Sequence, residues 1–192
     1  MACNDKLTSD ILSSCDDLPK RGLKGSSAVI VNYDDIDFSS TTSSGATVSS
    51  LELVSGASGY KLEWFKDLGS AGAVYAPNSE DIDGFTASFA SRISTTSAAS
   101  SERANELKNG LFVMVVRTKY SGIDGADEIK IYGFENGLRL SEMTHNTNEN
   151  SGSLVFTLST EEGAVEQYPF MVFSETDYST SKASFDALFA SV

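Results

Sequence analysis

The chain has 192 residues, 40% of them hydrophobic and 21% charged, with a formal net charge of −13. A single domain of this size buries roughly 70% of the surface its unfolded form exposes, so a core can form without disulfides and the acid excess is not the mark of a disordered tail. It excludes tight general binding to a nucleic-acid backbone, which needs clusters of Lys and Arg; from Tyr120 to Val192 twelve Asp and Glu stand against Lys130, Arg139 and Lys182 alone.

Cys3 and Cys15 are the two cysteines, too few for a disulfide framework or a thiolate zinc site, and they fit synthesis in a reducing cytoplasm. The start Met1 to Lys6 has no apolar stretch, and the longest apolar run, Leu111 to Val116, falls far short of the roughly 18 to 20 residues that span a bilayer. The expectation is a soluble, cytosolically made protein with no membrane partner.

Residues 1–26 read as an N-terminal arm. Thr8 or Ser9 caps a short helix through Cys15, and Pro19, Gly22 and Gly25 keep the chain beyond it irregular. Lys20, Arg21 and Lys24 gather there, a basic arm on an acidic body and a candidate contact with a neighbouring copy. Residues 27–192 read as one β-sandwich domain. Ala28 to Tyr33 is a short buried strand, and residues 34–47 form a long polar loop carrying Asp34, Asp35 and Asp37. Val48 to Val54 and Tyr60 to Lys66 read as a hairpin with Leu51 and Leu53 facing Leu62 and Trp64, and with Glu52 and Glu63 on the opposite face. Residues 67–83, with Tyr75, form a second long loop. Phe85 to Ile93 alternates as a half-buried strand.

Ser100 or Ser101 opens a helix that runs to Lys108 and packs on a sheet face, and Leu111 to Lys119 is a strand covered on both faces. Ile129 to Met143 reads as a hairpin about an Asn136-Gly137 turn with positive φ at both positions, which would put Ile129, Ile131, Leu138 and Leu140 on one face. Leu154 to Ser159 alternates with Leu154, Phe156 and Leu158 inward. Gln167 to Phe173 adds a last strand interrupted at Pro169, and Thr180 caps a terminal helix with a stripe of Phe185, Leu188 and Phe189.

Chemistry-bearing motifs are sparse. His145, the only histidine, lies in a polar stretch with no serine-elbow or cysteine motif beside it. Asp34, Asp35 and Asp37, and likewise Asp124, Asp127 and Glu128, lack the spacing of a calcium-binding helix-loop-helix loop. Paired carboxylates for glycosidic cleavage are defined by separation in space rather than in sequence, so a hydrolase stays an open alternative. So does a carbohydrate-binding sandwich with an aromatic platform of Trp64, Phe65, Tyr75 and Phe85, although strand spacing assigns Trp64 to the core. No catalytic residue, metal site or cofactor is assigned.

The stretch Ile129-Lys130-Ile131-Tyr132-Gly133-Phe134-Glu135-Asn136-Gly137-Leu138, the strand Ser153 to Leu158 and the tail Thr176 to Leu188 resemble structural proteins of tailed bacteriophages, tail tube proteins above all. The resemblance covers roughly the last third of the chain. It implies a β-sandwich or partly closed, largely antiparallel β-barrel with a flanking α-helix and short terminal helices, assembled into stacked hexameric rings. The partners implied are the protein itself and other virion proteins, with DNA passing through without specific binding. A decoration, tail-completion or head-to-tail ring protein shares the same character. The expected location is the virion, after synthesis in the bacterial host cytoplasm. Glu52 and Glu63 are the candidates for a lumen wall, and Lys20, Arg21, Lys24, Asp34, Asp35, Asp37 and Tyr75 for contacts between subunits. Six copies at −13 each carry −78, and acids in a lumen would keep DNA from adhering.

Overall fold

The structure is a computed structural model that describes residues 6–78 and 82–188. Its centre is set by β7, Phe112–Thr118, whose first five residues are all buried. A strand apolar on both sides needs a cover on each face. Val113 and Val115 point to one core and Phe112, Met114 and Val116 to the other.

β1 (Leu23–Asn32) and β8 (Ile129–Tyr132) flank β7 in antiparallel register, Val29 opposite Val115 and Ile131 opposite Val115. β4 (Tyr60–Glu63) pairs beyond β1, and β11 (Met171–Phe173) pairs beyond β8. β3 (Thr47–Ser50) adds to β11 in parallel and β2 (Thr42–Ser44) closes the row, giving a seven-stranded sheet in the order β2-β3-β11-β8-β7-β1-β4. A four-stranded sheet, β5 (Ser70–Ala76), β6 (Gly84–Ile93), β10 (Leu154–Ser159) and β9 (Arg139–His145), covers one face. Trp64, Phe89, Met114, Phe156 and Leu158 fill the space between the sheets. On the other face α2 (Tyr178–Ala187) lays Phe185, with Leu188 just beyond it, against Val29, Val31 and Ile131. The architecture is a mainly β, mostly antiparallel sandwich with a helical third layer, and it is not closed into a barrel.

Several expectations meet their elements. Phe85 to Ile93 and Leu154 to Ser159 are β6 and β10, paired with Phe89 opposite Leu158. The internal helix is α1, Ala98–Leu107, but it opens before the expected Ser100 or Ser101, because Ser97 is the cap: its side chain accepts from the Ser100 backbone N–H. Leu107 packs against the inter-sheet core. The terminal helix is capped by Asp177 instead of Thr180; the Asp177 carboxylate accepts from the Thr180 N–H at 2.8 Å, the stronger arrangement for a helix start. Phe189 lies outside the described residues.

Other expectations fail, each for a physical reason. No helix forms before Cys15: residues 6–22 carry neither helix nor strand, because Leu7, Ile11 and Leu12 find nothing to pack against and so short a helix is marginal alone. β1 begins at Leu23 rather than Ala28, with a bulge between the two. The loop 34–47 contains β2, and the loop 67–83 contains β5, whose Ser, Ala and Gly residues give no hydrophobic alternation to read. Val48–Val54 and Tyr60–Lys66 are no hairpin: β3 and β4 lie near opposite edges of the large sheet. Leu51 and Leu53 pack in the core under α2, whereas Leu62 and Trp64 pack between the sheets.

Nor is Ile129–Met143 a hairpin. β8 already has β7 on one side and β11 on the other, so no edge remains for β9, which pairs with β10 in the small sheet. Tyr132 pairs with Met114 and Leu138 with Phe112. Residues 133–137 are therefore looped out of the ladder, and the chain then crosses to the other sheet. Ile129 and Ile131 face α2, while Leu138 and Leu140 face the inter-sheet core. Of the turn pair, Gly137 alone has positive φ, +72°, matched by Gly133 at +74°. A Cβ on Gly133 would meet Leu138 Cγ at 2.6 Å. Gly133→Ala is expected to cost at least about 1 to 2 kcal/mol from the left-handed backbone alone, with the overlap adding to it. A thermal melt should show a drop of several degrees, and an unchanged melt would contradict this geometry.

Candidate functional site

The residues singled out by sequence separate into three regions. Glu52 and Glu63 do not share a face. One follows β3 and the other ends β4, five interstrand steps away in the sheet order, roughly 24 Å at ordinary strand spacing. Glu63 is paired with Lys61 at 2.6 Å. Asp35 and Asp37 shape their own loop: Asp35 accepts from Asn32 Nδ2 at 2.7 Å, and the Asp37 carboxylate accepts from the side chains and backbone N–H groups of Ser39 and Ser40. Those serine hydroxyls, with the backbone bonds, hold Asp37 below the usual carboxylate range. Asp34 is exposed on the same turn. Among the described residues no group of three or more His, Cys, Asp or Glu is placed to hold a metal ion. The Nε2 atom of His145, at the end of β9, lies 3.1 Å from the Gly152 carbonyl oxygen.

Lys24 is consumed within the fold. Its ammonium and the Arg117 guanidinium donate to the two oxygens of Glu128, at 2.5 and 2.6 Å, and Tyr178 Oη donates to the same carboxylate at 2.9 Å. Glu128 is only 2% exposed. Burial pushes its carboxyl up, but the three donors outweigh burial and hold it below its ordinary value of 4.5. The cluster ties β1, β7 and α2 together, and sequence reasoning missed it because its donors lie 11 to 104 residues from Glu128.

Lys20 and Arg21 have a different setting. With Leu23, Lys119 and Lys130 they line a cleft of about 760 Å³ at the end of the sandwich where β1 begins and β7 ends, with Ser70 and Ala71 of β5 on its other wall. Four cations and a single carboxylate, Asp67, line it. Lys119 is paired with Asp67 at 3.0 Å. Among the described residues the Lys130 ammonium makes no ion pair or hydrogen bond; it rests 4.1 Å from the Phe170 ring centroid and 5.3 Å from that of Tyr120. Burial lowers its pKa, partly offset by Asp127. The arm passes the cleft: Tyr120 Oη donates to Asp17 at 2.8 Å. A second cleft of about 760 Å³ lies at the other end of β1, between α1 and β4, with Ile30, Tyr60, Leu62 and Phe156 on its walls.

The third region is the β5 edge. Its neighbour on one side is β6, and on the other no strand among the described residues pairs with it. Val74 is 68% and Tyr75 56% exposed, and no charged residue or proline interrupts Ser70–Ala76. Tyr75 Oη donates to Asp83 at 2.5 Å across the base of the turn that leads to β6. Trp64 is buried while Phe65 is exposed, so the aromatic platform of the carbohydrate-binding alternative is not assembled.

Because the pKa of Glu128 is depressed, its contribution to stability is present above the unfolded value near 4.5 and is lost as pH falls below it. Chemical denaturation between pH 3 and pH 7 should show that loss, and Glu128→Gln should flatten it while lowering stability at pH 7 by about 1.5 to 3 kcal/mol, the size of a charge-assisted hydrogen bond lost to the part-buried Arg117. An acid limb identical in the variant would exclude this assignment. No protein-family model, curated protein or solved structure matches the chain.

Proposed function

We propose that this protein is a virion structural protein, the subunit of a phage tail tube that closes into hexameric rings, stacks, and lets the genome pass. The observation that carries the reading is the β5 edge. An edge strand with exposed apolar residues and no charge, proline or bulge to protect it pairs with another strand or aggregates. The opposite edge of the same small sheet is β9. Joining β5 of one copy to β9 of the next continues the sheet from subunit to subunit, and a repeated rotation closes it into a ring.

In such a ring one wall is the outer face of the small sheet, made by Thr86, Ser88, Ala90, Thr157 and Ser159, which point away from the inter-sheet core. This wall is small and hydroxyl-rich. Its charges are Arg92, Arg139 and Glu142, and Arg139 is paired with Glu161 at 3.2 Å. A passing DNA finds no cluster of Lys and Arg on which to release counterions. Glu52 and Glu63 belong to the large sheet, so in this arrangement they lie away from the lumen, and non-adhesion comes from the lack of cations rather than from an excess of acids. The reading places the protein in the virion, after synthesis in the host cytoplasm. No helix among the described residues is long and apolar enough to cross a membrane.

Electron microscopy of the purified protein at high concentration should show rings or stacked tubes; dispersed monomers at every concentration would overturn the reading. Val74→Lys puts a charge on the β5 edge. It should abolish the rings while changing monomer stability by no more than about 0.5 kcal/mol, as for an exposed site. Rings that persist in this variant would exclude β5 as the joining edge.

A further inference from the structure

Proceeding along β5 from the basic cleft, the chain reaches an end of opposite charge. Ser70 and Ala71 line the cleft, and Ala76, the last residue of the strand, pairs with Gly84; six residue steps separate Ser70 from Ala76, about 20 Å. At that far end Gly84 packs against Val165 and Glu166, and the Glu166 carboxylate accepts from the backbone of Glu135 and Asn136. Asp83, Glu135, Glu161 and Glu162 gather there, all exposed, with Arg139 as the cation that pairs with Glu161. Asp83 is held in place by Tyr75 Oη and the Asn78 N–H. Beside one end of β5 a surplus of cations thus lines a cleft, and beside the other stands a surplus of exposed carboxylates.

We propose that the basic cleft is a docking site for the acidic end of a second copy of this chain, so that Lys20, Arg21 and Lys130 of one subunit receive Glu161 and Glu162 of the next. Opposite patches at opposite ends of one body make a head-to-tail contact, which propagates instead of stopping at a dimer. Sheet joining through β5 acts across the strand, whereas the cleft takes its partner along the strand. The cleft contact therefore stacks one layer of subunits on another. The inference rests on the tail-tube reading and names the contact that builds its second dimension. It also gives Lys130 a direct anionic contact, since among the described residues its half-buried ammonium rests on aromatic rings and feels Asp127 only at a distance.

The test is sedimentation velocity of the full chain at low salt with two charge-reversed variants, Lys20→Glu/Arg21→Glu and Glu161→Lys/Glu162→Lys, each checked for an unchanged melt. Each variant alone should self-associate at least tenfold more weakly than wild type. Mixed one to one, they should recover association, because the intact acidic end of one meets the intact cleft of the other and the two reversed patches are complementary as well. Variants that associate as wild type does would overturn the inference and leave the tail-tube reading standing, whereas a wild type that stays monomeric at every concentration would sink both. A third arm adds a short DNA duplex: if Lys20→Glu/Arg21→Glu loses duplex binding but keeps self-association, the cleft is a polyanion site and the docking inference is wrong.

Discussion

The two sheets are held in one arrangement by the side chain and backbone of Glu166. Its backbone N–H and carbonyl both pair with Phe85 in the small sheet, at 2.8 and 2.9 Å. Its carboxylate accepts from the N–H groups of Glu135 and Asn136, at 2.9 and 3.0 Å, in the loop where the chain leaves the large sheet. Glu135 answers by accepting from the Gln167 N–H at 2.6 Å, and Asn136 Nδ2 donates to the Val165 carbonyl. A loop that crosses between packed sheets has backbone donors that no strand can satisfy, and a hydrogen bond to a charged acceptor contributes about 1.5 to 3 kcal/mol. Glu166 supplies two acceptors in one residue. Burial raises its own pKa against the pull of those hydrogen bonds, so the carboxylate is retained at an electrostatic cost for the sake of the crossing.

Placing the crossing there determines the rest. With residues 133–137 out of the ladder, β8 keeps β7 and β11 as neighbours, and Ile129 and Ile131 are committed to the core beneath α2. Leu138 and Leu140 are released to the inter-sheet core, where they meet Phe156 and Leu158. β9 then pairs with β10, and the small sheet ends with β5 and β9 as its two edges. The edges that carry the assembly reading are thus a consequence of one loop and one buried carboxylate.

How far each element could be read from the sequence depends on the range of the forces that make it. β7 was legible because five consecutive apolar residues admit one environment, and β6 and β10 because alternation fixes faces without reference to a partner. α1 and α2 were legible as helices from their local apolar stripes, while the residue that caps each, Ser97 and Asp177, lies a few positions before the hydroxyl the pattern suggested. The hairpins were misread because an Asn-Gly pair states that the chain turns but not that the strands beside it pair. Here the alternation on either side of Asn136-Gly137 fitted one sheet and two sheets equally well. The missed β5 has its pairing specified by β6, since Ser, Ala and Gly side chains carry almost no pattern of their own. Of the site residues, the arm's Lys20 and Arg21 were found by charge alone, while Lys119 and Lys130, which complete the cleft, come from β7 and β8 ends that only the fold brings together.

The acid excess that dominates the composition has a limited influence on association. At physiological ionic strength charges more than about 8 Å apart are largely screened, so two copies approaching each other respond to the charges at the touching surfaces and not to the total of −13. A uniformly acidic surface would repel at every orientation. This one has a site where four cations meet one carboxylate, and a strand edge with no charge at all. Repulsion elsewhere then removes wrong orientations, while these two places remain the ones at which contact is not penalised. In the proposed assembly the same acids that oppose association in general would thereby select its geometry.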